Sequence, residues 1–467
     1  MKKATIISLL TLLALVLSLF FETIPIKANV YVENSWLSRT SMNVARSDLG
    51  VATVNGKIYS IGGIKVPSLL DVNAPSPLPV FSNPQLTGAN EEYDPSTNSW
   101  SFKAEMPIPK ANFAIAAFQN KIYCIGGTTD SVVVSLTGVY DLTKDSWENK
   151  APMPTSEEGM QANIVNGKIY IIGGGTNYVY NPTADNWTTI TPAPITQNGS
   201  VCSCVFDNKI FVLGSPCIQI YDPDKDGWTT GAQIPVSMSQ PVAAATSGID
   251  ALARIYVLDE NIVGAYDPQT NFWIAGAELP TVLTKPSQDV GRTISNLEDY
   301  GVTVCNDVIY VVGGDTVTVS KEYANSRFYP EDISELTINQ QYIPFGYGTV
   351  SPEISVTSPI NASYYSIEVM LNFTVNKPFN WTCYSLDGKE NITTKSSTTL
   401  TGLPSGLHTL ILYANDSFGN VGNQTVTFTI SKPEMPPNDT YVIVSEVSAV
   451  VVVVMIALIV YFKKRKH

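Results

Sequence analysis

From about residue 50 to residue 330 the chain sets short apolar runs between polar turn residues, a pattern that predicts β-strands. Four stretches show the order of parts: NGKIYSIGG at 55–63, NKIYCIGG at 120–127, NGKIYIIGG at 166–174 and NDVIYVVGG at 306–314. The apolar run before each stretch is one strand, Asn-Gly or Asn-Lys a turn, and the Ile-Tyr run a second strand. The glycines then form a bend that admits no Cβ. A Tyr-Asp-Pro segment ends a third strand, and a tryptophan marks the fourth.

A tyrosine followed seven residues later by a tryptophan occurs five times: Tyr93 and Trp100, Tyr140 and Trp147, Tyr180 and Trp187, Tyr221 and Trp228, Tyr266 and Trp273. Recurrence at this regularity predicts an array of identical supersecondary units. Four short antiparallel strands cannot bury both faces alone, so neighbouring sheets must stack, with the aromatic rings between them.

Trp36, in YVENSW, precedes any complete unit, while the last unit, with strands near 301–329, has no tryptophan of its own. The expected fold is therefore all-β: six blades over residues 29–345, with the N-terminal segment supplying the outer strand of the last blade. Closure of this kind removes exposed sheet edges. Seven blades closed by the 336–347 segment is the alternative.

This order of parts resembles the kelch repeat, and the Met106-Pro107 and Met153-Pro154 pairs fit it too. Two units depart from the pattern: Gly214-Ser215 replaces the glycine pair in the fourth, and RIYVLDE carries none in the fifth. The resemblance implies a β-propeller in which the loop between second and third strands opens on the same face as the loop between blades. Two such loops are long: Ile64 to Asn90, which holds Asp71, and Ile274 to Tyr300, which holds Arg292, Glu298 and Asp299. Long loops on a rigid scaffold are where binding is expected. Arg46, Lys110, Glu157 and Asn198 stand eleven residues before Lys57, Lys121, Lys168 and Lys209, and these equivalent positions are expected at the channel mouth. Arg46 there resembles the arginine of many kelch units. The alternative is that each bonds a neighbouring loop.

After residue 350 the pattern changes to shorter alternating runs over 351–431, which predicts a small β-sandwich with Trp381 as core filler. It resembles the immunoglobulin-like modules of prokaryotic surface proteins, of archaeal type. Asp416 and Asn420, in YANDSFGN, are turn residues that also suit a cation. A proline-bearing linker at 432–440 leads to an apolar segment at 441–462 and the basic tail 463–467. That arrangement predicts a membrane helix with the basic end in the cytoplasm. A tail removed during sorting is the alternative. At the other terminus, Lys2 and Lys3 before an apolar run predict a signal peptide over 1–28.

Nine Asn-x-Ser/Thr acceptors fit an outward-facing protein: Asn186, Asn198, Asn361, Asn372, Asn380, Asn391, Asn415, Asn423 and Asn438. A net charge of −13 argues against nucleic acid as a partner. The six cysteines have no metal-ligand spacing and read as buried thiols, with one or two disulfides as the alternative.

With only His408 and His467 in the chain, histidine-dependent copper, Ser-His-Asp or Cys-His catalysis in the repeat region is excluded. No catalytic residue, cofactor or metal is assigned. The expected function is recognition of a glycan or protein partner by a membrane-anchored surface protein, with the sandwich as stalk. A carboxylate-based sugar enzyme using Glu157, Glu158, Glu298, Asp299 or Asp71, for which a six-bladed sialic acid epimerase is precedent, is one alternative. A structural envelope component is another.

Overall fold

The computed structural model describes residues 31–432, apart from 66–84, 131, 174–176, 195–201, 215–216, 236–237, 281–291 and 322–327, together with 454–456. Side chains of 292–296 and 316–335 are outside the description. The chain divides into two compact units, Met1–Val350 and Ser351–His467.

Among the described residues the first unit holds six antiparallel four-stranded sheets. Gly50–Val54, Lys57–Ile61, Asn90–Asp94 and Ser99–Phe102 form the first. Ala114–Phe118, Lys121–Ile125, Thr137–Asp141 and Ser146–Lys150 form the second. The third runs Gln161–Val165, Lys168–Ile172, Tyr178–Asn181, Asn186–Thr189, and the fourth Cys202–Phe206, Lys209–Leu213, Cys217–Asp222, Gly227–Gln233. Val242–Ala245, Ile255–Asp259, Ile262–Asp267 and Phe272–Ala275 make the fifth. The sixth combines Gly301–Cys305, Val308–Val312 and Asn339–Ile343 with Ser35–Ser38 from the other end of the chain. The first strands of the six sheets neighbour one another in a closed cycle, the first sheet against the sixth. An apolar cluster fills each of the six gaps. All-β architecture and the β-propeller arrangement follow from this topology.

Each Tyr–Trp pair is a cross-strand pair between third and fourth strands, with ring centroids 5.0 Å apart for Tyr93 and Trp100 and 4.9 Å for Tyr180 and Trp187. In the sixth sheet Trp36 pairs with Tyr342 across the chain ends. The tyrosines also bridge sheets: Tyr59 meets Tyr140, Tyr123 meets Tyr180, Tyr170 meets Tyr221, Tyr256 meets Tyr342 and Tyr310 meets Tyr93. Offset ring contacts of this kind add to the area they bury.

A second device joins the sheets. Tyr140 donates its hydroxyl hydrogen to Asp145, Asp145 accepts the N–H of Ala104 in the preceding sheet, and the Trp147 indole donates to the carbonyl of that same Ala104. Asn98 and Trp100 hold Thr40, Asp185 and Trp187 hold Ala151, and Asp226 and Trp228 hold Thr191 in the same way. Asn34 and Trp36 hold Ala277, so the closure repeats the grip. The fifth sheet departs from it: Tyr266 bonds Asn271, but the Trp273 indole N–H is buried without an acceptor.

The expected position of the last unit needs correction. Its third strand is Asn339–Ile343, whereas Asp315–Lys321 lies between Arg292–Glu298 and Phe328–Glu335 in a separate three-stranded sheet. Part of the supposed loop from Ile274 to Tyr300 is therefore strand. Of the loop from Ile64 to Asn90, Ile64–Lys65 pair with Gln85–Leu86, and 66–84, with Asp71, lie outside the described residues.

The second unit packs a three-stranded and a five-stranded sheet around one core that includes Leu371, Leu400, Leu410, Leu412 and Phe428. Trp381 is not the core filler: it is 39% exposed, opposite Asn415, and Tyr384 and Phe428 occupy the interior. Trp381 stands three positions before Tyr384 in an unbroken register, so strand alternation puts its indole on the opposite face. Asp416 is buried and accepts hydrogen bonds from the Phe418 and Asn420 backbones, with Lys377 Nζ at 3.4 Å. Its carboxylate is thus occupied in holding the turn.

The signal segment 1–28 and, apart from 454–456, the apolar segment 441–462 lie outside the described residues, as do the tail 463–467 and Asn438. Among the described residues no helix is long and apolar enough to cross a membrane. All six cysteines are buried, and Cys124, Cys202, Cys204, Cys305 and Cys383 are free thiols.

Candidate binding face at the channel mouth

The first strands carry small and β-branched residues, and their inward positions leave a channel of about 330 Å³ lined by groups such as Thr53, Ala117, Ser203, Ala243 and Thr303. Among the described residues no charged side chain lines it. Thr53 and Thr303 share a hydrogen bond at 2.9 Å, and Asn163 donates to Ser203 at 2.7 Å. Charge enters at one mouth, a concavity of about 380 Å³ bordered by Asp48, Asn112, Gly159, Gln240 and Asp299.

These five residues occupy one repeat position, two before the first strand of every sheet but the fourth. Asp48 donates its backbone N–H to the Asp299 carbonyl at 2.9 Å, Asn112 to Asp48 at 3.0 Å, and Gly159 to Asn112 at 3.0 Å. Asp299, Asp48, Asn112 and Gly159 have φ of 51°, 51°, 55° and 69°, the left-handed region that Asp, Asn and Gly enter most readily. A series of three backbone bonds therefore links Asp299, Asp48, Asn112 and Gly159 along the mouth, and two of its members add carboxylates.

Burial, then the nearby Asp299, Asp315 and Glu158, pushes the Asp48 carboxyl up to about 7. Burial also raises Asp299; burial and then Asp299, Glu260 and Asp259 raise Glu298. Desolvation and like charge act together here, so the site favours a proton or a cation over bare carboxylates.

Arg46 and Lys110 do not reach the mouth. Both are buried, and their heads turn into their own sheets: Arg46 Nη2 donates to the Ser60 carbonyl at 2.8 Å with Glu91 Oε1 at 3.2 Å from Nη1, and Lys110 Nζ donates to the Cys124 carbonyl at 2.9 Å and to Leu136 at 3.2 Å. Burial lowers Arg46 to about 10 against the opposing pull of Glu91, and lowers Lys110 to about 8. Glu157 is half-buried, with Oε1 accepting from Thr155 at 2.8 Å. Glu158 is exposed beside the mouth and bonded to Thr128. Asn198 lies outside the described residues, and Arg292 begins a strand whose side chain there is not described. Sequence reasoning alone misses Asp48, Asn112 and Gln240. Their shared offset from the first strand is the signal that finds them.

The closeness of backbones explains the double glycines. A Cβ on Gly62, Gly126 or Gly313 would lie 2.6, 2.6 or 2.7 Å from the carbonyl oxygens of Lys110, Glu157 and Arg46, at φ of 65°, 66° and 71°. The bend and the neighbouring sheet are one design.

Of the acceptor asparagines, Asn186, Asn361, Asn380, Asn391 and Asn423 are exposed, and Asn372 and Asn415 are half-buried. Among the described residues no group of three or more His, Cys, Asp or Glu side chains is placed to hold a metal ion.

The Kelch motif family matches residues 109–154. Halomucin of Haloquadratum walsbyi is 43% identical over 91 residues, 18% of this chain and 1% of that protein. The influenza virus NS1A-binding protein homolog of Mus musculus is 33% identical over 87 residues, 19% of this chain and 11% of its own length. Kelch-like protein 15 of Danio rerio is 32% identical over 94 residues, 20% of this chain and 14% of its own length. The chain thus spans only a small part of these relatives. The solved structure of YjhT aligns with 64% of this chain and 99% of that one, at 12% identity and a TM-score of 0.45. Repeat, topology and relatives together show that the chain carries a kelch-repeat domain.

Proposed function

We propose that the first unit is a six-bladed propeller whose acidic mouth recognises a protein partner through its lysine or arginine side chains, on a single-pass protein facing outward from the cell membrane. The observation that carries this is Asp48, held up to about 7 beside Asp299, whose carbonyl accepts the Asp48 backbone N–H at 2.9 Å. A cationic side chain there removes the like-charge penalty that the carboxylates impose on one another. Kelch repeats generally mediate protein–protein interaction, and one relative is named for binding a viral protein. The immunoglobulin-like sandwich acts as stalk, the 441–462 segment as anchor, and the accessible acceptor asparagines carry glycans. A glycan is the other ligand that the same mouth would admit.

The test is a pull-down of partners by the full chain from cell-surface extract, repeated with the double variant Asp48→Asn, Asp299→Asn. Recovery of a partner by wild type that falls at least tenfold in the variant, and that weakens with salt, supports the reading. Undiminished recovery by the variant moves the binding surface elsewhere.

A sugar-active enzyme draws on the same raised carboxyls, since a protonated Asp48 near neutral pH suits a general acid. Turnover of a glycoside panel, lost in Asp48→Asn, is the outcome that favours it.

A further inference from the structure

The sandwich of the second unit exposes its apolar surplus at one end. Leu407, Tyr365, Ile367 and Ile360 are 71%, 70%, 63% and 55% exposed, the four highest values among its large apolar side chains in the described residues 351–432. Single exposures of this kind are ordinary, whereas a group of them marks an interaction surface. Strand pairing brings the four to one end. Leu407 stands opposite Thr429, and Ser363 flanks Thr429 on its other side, so the 359–368 loop and the start of Gly406–Asp416 meet at the C-terminal end of Val421–Ile430. The Ala362 and Tyr364 carbonyls accept the N–H groups of Thr429 at 3.0 Å and Ser431 at 2.8 Å. The Tyr364 hydroxyl accepts the Ile360 N–H at 2.9 Å, and the Ile367 carbonyl accepts the Leu403 N–H at 3.1 Å. Backbone groups of this tip are thus bonded inward while its large side chains meet solvent.

The chain leaves the sandwich at the same end. Val421–Ile430 is its last strand, and the nine residues 432–440 lead from there to the apolar segment at 441–462. Nine residues span at most about 30 Å, so the tip stays close to whatever holds that segment. The two observations are independent, one being a run of sequence and the other a set of exposures in a fold that the run does not enter. Charge placement agrees with them. Residues 359–368 and 401–407 hold one charged side chain, Glu368. Asp387, Lys389 and Glu390 belong to the loop after Phe379–Leu386, a strand two places from Val421–Ile430 in the sheet.

We propose that this tip rests in the lipid interface, with Ile360, Tyr365, Ile367 and Leu407 seated among the headgroups, an inference that rests on 441–462 being a membrane anchor. Tyrosine suits that depth, because its ring is apolar and its hydroxyl reaches water. Apolar area carries the contact, so it is insensitive to salt. It fixes the stalk against the bilayer instead of leaving it to swing on the linker. Asn361, in the same loop, is then expected without a glycan, because a sugar there would stand between the loop and the lipid.

The test uses the full chain reconstituted in phosphatidylcholine vesicles. Since the native cysteines are buried, Ser366→Cys at the tip, or Ser417→Cys in the turn at the opposite end, takes a polarity-sensitive fluorophore selectively. The label at 366 should shift to the blue on reconstitution and lose at least about half its emission to lipids spin-labelled near the headgroup, at low and high salt, while the label at 417 is unaffected. The triple variant Ile360→Ser, Tyr365→Ser, Ile367→Ser changes exposed positions alone, and it should still float with the vesicles but lose the quenching at 366. Flotation of the wild type without quenching at 366 overturns the proposal and leaves the anchor reading standing. Failure of the wild type to float overturns the anchor reading and the proposal with it. A label at 366 that becomes shielded in detergent as protein concentration rises means that a second copy covers the tip, and overturns the proposal too. So does a glycan found on Asn361 of the native protein.

Discussion

Trp36 donates its indole N–H to the carbonyl oxygen of Ala277 at 2.9 Å, joining residues separated by 241 positions in the chain. Asn34 accepts the Ala277 N–H and the Tyr342 hydroxyl, so one short N-terminal segment supplies both the outer strand and the grip that close the ring. Trp36→Ala removes the ring contact and the hydrogen bond together and should cost about 2–4 kcal/mol in the unfolding free energy of the first unit, measured by denaturant titration.

Trp273 provides an internal control. Its indole N–H is buried and has no acceptor, whereas that of Trp147 bonds Ala104 at 2.8 Å. Trp147→Phe should therefore destabilise by about 1 kcal/mol more than Trp273→Phe, since only the former loses a made hydrogen bond and leaves a carbonyl without its donor. Equal losses would show that the grip contributes nothing beyond ring packing.

The difference between these tryptophans bears on what a sequence discloses. Tyr–Trp pairs, the glycine bends and the orphan Trp36 are legible because each identity is dictated by contact: a cross-strand ring pair, a carbonyl at 2.6 Å, a missing fourth strand. Asp145 and its equivalents escape because Asp and Asn two residues before a tryptophan also read as ordinary turn residues. The mouth escapes for a related reason. Asp48, Asn112 and Gly159 share a left-handed backbone, not a side chain, so no single residue type marks the position. Arg46 and Lys110 are located correctly along the chain but not in direction, since spacing does not say that the head turns back to Ser60 or Cys124. Asp315–Lys321 alternates as a blade strand would, and only its pairing with Arg292–Glu298 separates it from the sixth sheet.

Lys110 should leave a signature at alkaline pH. Burial holds its ammonium at about 8, below the value near 10.4 of an unfolded lysine, so between these values the unfolded chain binds a proton that the folded chain does not. Stability of the first unit therefore rises as pH climbs from about 8 to about 10. Lys110→Met, which keeps the stem and removes the charge, should flatten that rise while leaving the fold intact.

Asp48 acts in the opposite sense of pH. Its folded carboxyl titrates near 7, above the unfolded value near 3.9, so it stabilises the fold below about pH 4 relative to neutral pH and that contribution is lost as pH rises through 7. Asp48→Asn should be more stable than wild type at about pH 8 by about 1–3 kcal/mol and equal to it at about pH 4. A cationic partner reverses the penalty. Wild-type binding should strengthen between about pH 6 and pH 8 as Asp48 ionises, and Asp48→Asn should remove that dependence.

In the second unit, His408 carries a separate pH response. Its Nδ1 faces Asp387 Oδ2 at 2.8 Å and its Nε2 faces the Pro404 carbonyl at 2.8 Å, so both ring nitrogens meet acceptors and only the imidazolium donates to both. Burial opposes the charge, but the Pro404 and Asp387 hydrogen bonds outweigh it and hold the histidine above its ordinary value. Asp387 is held below its own, burial there being outweighed by the Thr409 N–H and by His408. Stability from His408 is thus fully present below about 6.5 and lost as pH rises through the raised folded value; stability from Asp387 is present above about 4 and lost as pH falls. Between those limits the pair should hold the second unit at its most stable. His408→Phe retains a ring against Phe428, whose centroid lies 5.3 Å away, and removes the proton. Urea unfolding of this unit at about pH 5.5 and about pH 8.5 should show wild type losing about 1 kcal/mol between the two while the variant changes little, because a phenyl ring asks nothing of Asp387 at either pH.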